Sequence, residues 1–85
     1  MEYLLVAFRS RNHTVKFYED LKRIGLLAEI INTPKEAGVG CGLSVKISPS
    51  NFSVIKNAVR VTGYKSFAGF FSVKHNGNKT VVRSI

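Results

Sequence analysis

The most reactive side chain in this sequence is the thiol of Cys41, the single cysteine, set in Gly38-Val-Gly-Cys-Gly42 with glycine at alternate positions. A thiolate is a nucleophile, and a free cysteine near neutral pH is mostly protonated, so useful chemistry needs a setting that favours the anion. Glycines let the backbone bend, expose N–H groups that can cradle an anion and leave the sulfur open to a partner. A lone cysteine is often a buried hydrophobe, but a position of that kind does not need Gly40 and Gly42 on either side. The stretch is not a nucleotide fingerprint, because a strand rather than a helix follows it.

A second cluster, Arg9-Ser-Arg-Asn-His13, offers cations and a helix start. Arg9, Arg11 and a protonated His13 would each favour a thiolate, as would the partial positive charge of a helix N-terminus. Taken alone, His13 reads as a helix-surface residue. A Cys41–His13 pair has no evident orienting acid, and neither paired carboxylates nor a Ser/His/Asp arrangement can be argued. A turnover enzyme is therefore the least expected class, and a binding or structural interaction module fits these residues better. One cysteine makes no internal disulfide, and His13, His75 and Cys41 are too scattered for a metal site, so neither a metal nor a cofactor is expected.

The elements that must position these residues follow from periodicity. Residues 2–8 form a continuous apolar run suited to a central strand. Ser10 can cap a helix from Arg11 to Ile24, in which Val15, Phe17, Tyr18, Leu21 and Ile24 recur at helical spacing and Gly25 ends the run. Leu26–Thr33 reads as a second strand closed by Pro34. The loop 34–42 has room for one helical turn. In Leu43–Ser48, Leu43, Val45 and Ile47 point one way and Ser44 and Lys46 the other. Ser48-Pro49 opens a second helix with Phe52, Ile55, Val59 and Thr62 on one face, stopped by Gly63. Phe67–Lys74 is a fourth strand, with Phe67, Phe71 and Val73 on one face and Phe70 on the other. Asn76-Gly77 is a hairpin turn signal, and Lys79–Ile85 is a returning fifth strand.

The order βαββαβ plus a strand gives an α+β fold: a ferredoxin-like sandwich with sheet order 4-1-3-2, right-handed crossovers, both helices on one face and an extra C-terminal β-hairpin strand. The chain is one domain, 1–85, with a core over 2–74 and a hairpin extension over 75–85. In this topology the start of the third strand lies at the same sheet end as the end of the first. Cys41 should therefore neighbour Ser10, Arg11 and His13, about thirty positions away. A sheet apolar on both faces hides one of them, so a homodimer through the helix-free face is expected, unless the C-terminal hairpin covers it.

The formal charge is +8, and all five acids (Glu2, Glu19, Asp20, Glu29, Glu36) lie in the first 36 residues. From Ala37 onward there are seven Lys or Arg and no acid. Such asymmetry favours anionic partners, either an acidic protein face or nucleic acid. RNA is the less favoured, because Leu-Ser-Val-Lys-Ile in the third strand lacks the aromatics of the common RNA-recognition motif. Tyr3–Phe8 is too short an apolar stretch to span a bilayer and has no signal-peptide flanks, so a cytoplasmic location without membrane contact is expected.

Several local features together resemble a known family: Phe8-Arg-Ser10 closing the first strand, His13 early in the first helix, Ile31-Asn-Thr-Pro34 closing the second strand, Cys41-Gly42-Leu43 opening the third, and Ser48-Pro49 before the second helix. The chain resembles the small selenium/sulfur carrier proteins, formerly a domain of unknown function, over about residues 2–71. The last hairpin lies beyond the matched part. The resemblance implies that Cys41 accepts sulfane sulfur or selenium as a persulfide or selenopersulfide, with a cysteine desulfurase or another sulfur or selenium donor protein as partner.

Overall fold

In the computed structural model, which describes residues 2–85, the chain forms β1 (Glu2–Phe8), α1 (Arg11–Arg23), β2 (Glu29–Asn32), β3 (Leu43–Ile47), α2 (Phe52–Thr62), β4 (Phe67–Asn76) and β5 (Lys79–Ser84). Single 3₁₀ turns at Lys35–Ala37 and Pro49–Asn51 precede β3 and α2. The fold is α+β, with two helices and one five-stranded sheet in the order β2-β3-β1-β4-β5, antiparallel at every pairing. The sheet is one strand wider than the 4-1-3-2 core of the sequence reading. β5 pairs with β4 from Phe71↔Ser84 to Asn76↔Lys79 and becomes an edge strand.

From Leu4 to Phe8, β1 is apolar and buried on both faces. Leu4, Val6 and Phe8 join Val45 and Ile47 of β3 under the helices, where Phe17 and Leu21 of α1 and Ile55 of α2 complete the core. Burying each such side chain contributes about 1.5–3 kcal/mol. Leu5 and Ala7 point the other way, into a second cluster with Phe71 and Val73.

That second, helix-free face is covered by the chain itself. Ala37 and Val39 from the loop after β2 and Val82 from β5 pack on it, and the Lys35–Ala37 turn touches β5. Leu5, Ala7 and Val73 are fully buried within one molecule. The apolar surface that motivated a dimer through this face is thus occupied from within, by a loop and the C-terminal hairpin.

Two local expectations are corrected. Phe67 packs with Phe70 on the helix side, not with Phe71 and Val73. The cause is a bulge: the β1–β4 register shifts between Ala7 and Phe8, so Phe8 faces Phe67 while Ala7 faces Gly69. An extra residue in a ladder re-aims the side chains beyond it. β2 is shorter than Leu26–Thr33, because the Leu26 N–H still bonds the Leu21 carbonyl at 3.0 Å and Leu27 is 88% exposed. Among the described residues, no helix is long and apolar enough to cross a membrane.

Candidate functional site

The site is built where β1 stops. Ser10 has extended backbone, and its Oγ accepts the His13 N–H at 3.2 Å, which caps α1. The Ser10 carbonyl accepts both the N–H and the hydroxyl of Thr14, each at 3.0 Å. The first turn of α1 is therefore held at a fixed height above the last residue of β1.

Cys41 reaches the same point from the loop before β3. Its N–H donates to the Phe8 carbonyl at 3.1 Å. Gly40 makes this approach feasible: its φ is +92°, and a Cβ there would lie 3.3 Å from the Phe8 oxygen. Gly42, at φ +94°, turns the chain into β3, and its carbonyl accepts the Thr33 N–H at 2.9 Å. Only glycine adopts such angles without strain. The loop is braced from below by Thr33 Oγ1 and the fully buried Ser44 Oγ, 2.6 Å apart.

Cys41 is a partly exposed residue. Its sulfur sits 3.5 Å from Thr14 Oγ1 and donates to the Leu43 carbonyl at 3.7 Å. Burial pushes the Cys41 thiol up, but the Thr14 hydroxyl, backbone hydrogen bonds at Leu43 and Cys41, and the Arg11 charge together hold it below its ordinary value. Hydrogen bonds that favour the anion must come from donors. Thr14 has one hydroxyl proton and two acceptors within reach, the Ser10 carbonyl and Sγ. With a thiol present it can donate to Ser10; with a thiolate present it can turn to the sulfur.

The residues singled out in the sequence separate into two groups. Cys41, Gly40, Gly42, Ser10 and Arg11 converge on one corner. His13 lies beside it but is otherwise engaged: Nδ1 is 2.6 Å from Ser66 Oγ, and the ring stacks on Tyr64 with centroids 4.8 Å apart at 13°. Tyr64 in turn donates to Asp20 at 3.0 Å. Burial, together with the neighbouring Asp20, pushes its phenol up. His13 thus ties α1 to the α2–β4 turn, and its hydrogen bonds do not reach Cys41.

Thr14 is the residue the sequence reading missed. It is fully buried on the same helix face as Phe17 and Leu21, at spacings of three and seven. A hydroxyl residue in the first turn of an apolar helix face was the available signal.

The structure is thus a small α+β protein with a single, partly exposed cysteine held between a strand end and a helix start. The family described as "Putative Se/S carrier protein-like" matches residues 3–66, and the chain belongs to that family. No curated protein and no solved structure matches the chain.

Proposed function

We propose that this protein carries sulfur or selenium on Cys41 as a persulfide or selenopersulfide. The observation that carries the reading is Cys41 itself: a partly exposed residue, its sulfur 3.5 Å from a buried hydroxyl, in a chain of the carrier family. The transfer is a substitution at sulfur. The Cys41 thiolate attacks the terminal sulfur of a donor persulfide, the new Cys41 S–S bond forms as the donor's S–S bond breaks, and the donor cysteine leaves as a thiolate. The proton lost by Cys41 is balanced by the one the donor thiolate takes up. No external oxidant or second cysteine is needed, which suits a chain with one. Selenium follows the same route with selenium as the atom attacked. Thr14 and Arg11 support the anion that begins the reaction.

The fold label belongs to the same reading. We take the chain as a ferredoxin-like sandwich extended by one strand; what supports this is that β4, β1, β3 and β2 are successive neighbours, with β5 added outside β4.

Incubation with a cysteine desulfurase and cysteine, followed by intact mass measurement, tests the proposal. The wild type is expected to gain one sulfur atom that a reductant removes, and Cys41→Ser is expected to gain none. No gain in the wild type, or a gain that persists in Cys41→Ser, rejects it.

A further inference from the structure

Several exposed cations gather at the end of the molecule that holds the thiol. Arg9 follows Phe8, whose carbonyl holds the Cys41 N–H. Arg11 opens α1 and acts directly on the thiol. Lys65 precedes Ser66, whose carbonyl accepts the Arg9 N–H at 2.7 Å. Lys35 lines a shallow groove with Gly40 and Gly42. All four side chains are exposed.

Acids stand next to a few bases at other places, while Lys56, Lys79 and Arg83 are as unpaired as the cations at the Cys41 end. Glu2 lies directly across from Lys74, Glu29 across from Lys46, and Asp20 pairs with Arg23 at 3.0 Å. That last contact is the only ion pair among the described residues, so Arg9, Arg11, Lys35 and Lys65 have no acidic partner there. Arg11 also opposes its own helix, since the first turn of α1 contains no acid and the dipole there is already positive. No ion pair among the described residues engages these cations, so their charge is available to an acidic partner at the end that holds the thiol.

We propose that the Cys41 end is a docking surface for the acidic face of a donor protein, with Arg9, Arg11 and Lys65 steering that face onto the sulfur. The proposal rests on the carrier reading above and adds the partner's chemistry. A protein fits better than RNA. Single-stranded RNA is held by stacking its bases on displayed aromatic rings. Here Phe8 is buried, Phe67 and Phe70 pack in the helix-side core, and Tyr64 is already stacked on His13.

Thiol–disulfide exchange tests docking separately from persulfide transfer. The probes are peptides with one cysteine, carried as a mixed disulfide with thionitrobenzoate and flanked by Asp and Glu, by Ser, or by Lys. The Cys41 thiolate attacks the peptide sulfur, the mixed disulfide breaks, and coloured thionitrobenzoate leaves. At low salt the acidic peptide should react about tenfold faster than the neutral one, and the lysine peptide should be slowest. The difference should collapse near 1 M salt, where the Debye length is about 3 Å.

The variant Arg9→Glu/Lys65→Glu leaves Arg11 in place. It should lose the preference for the acidic peptide, read as the ratio of acidic to neutral peptide rates within the same protein, so that any change in thiolate fraction cancels. Equal rates for acidic and neutral peptides, or a preference that survives in the variant, overturns the proposal. So does an RNA oligonucleotide that shields Cys41 better than the acidic peptide does. A protein that discriminates charge but takes no sulfur from a desulfurase keeps the docking surface and loses the carrier reading. One that takes sulfur without discriminating loses the docking surface alone.

Discussion

The two ends of β1 are built on different rules. At its start the ladder is regular: Glu2 faces Lys74, Tyr3 faces Val73 and Leu4 faces both Ile47 and Ser72. Charges there oppose one another, and Lys46 lies over the Tyr3 ring at 4.7 Å. At its end the register slips at Ala7 and Phe8, two glycines with positive φ bring Cys41 against the strand, and a hydroxyl is buried beside the sulfur. Regular pairing holds the start of the strand; at its irregular end the Phe8 carbonyl holds the Cys41 N–H and so places one residue. Strain and buried polar groups concentrate at functional sites for this reason.

The comparison can be broken by substitution, starting with the largest expected effect. Gly40→Ala should cost about 2–3 kcal/mol, from its backbone angle and its approach to the Phe8 carbonyl. Gly77→Ala, in the distal hairpin, has open space around the site and should cost only about 1 kcal/mol. Urea unfolding measures both, and equal losses would remove the claim that the Cys41 loop is held by close approach. The smallest effect is expected for Lys74→Met: at most about 0.5 kcal/mol, since exposed charge pairs contribute little. Its rate of reaction with iodoacetamide should match the wild type's. A slower thiol in Lys74→Met would mean that the two ends are not independent.

Much of this arrangement was legible in the sequence. The spacing of Phe17, Tyr18 and Leu21 located α1, the alternation around Val45 located β3, and chain topology alone brought Cys41 to the start of α1. Three things were hidden. Thr14 matters because it meets a residue 27 positions away, a contact that helical periodicity does not encode. The side on which Phe67 packs depends on the bulge, which the alternating pattern of β4 hides. The stacking of His13 on Tyr64 joins two turns far apart in the chain, so the histidine looked free to serve the thiol when it serves the fold.

The central claim is that this corner favours the thiolate of Cys41, and the pH dependence of its alkylation tests that most directly. The group is an acid whose proton affinity is lowered by Thr14, by backbone donors and by Arg11, so its reactivity should approach a plateau at lower pH than for an ordinary cysteine. The wild type should titrate lower than a cysteine in an unstructured peptide measured in the same buffer, which is the reference. Thr14→Val, which keeps the side-chain shape and removes the hydroxyl, should titrate higher than the wild type. A wild-type midpoint at or above that reference, or one unmoved by Thr14→Val, would contradict the account.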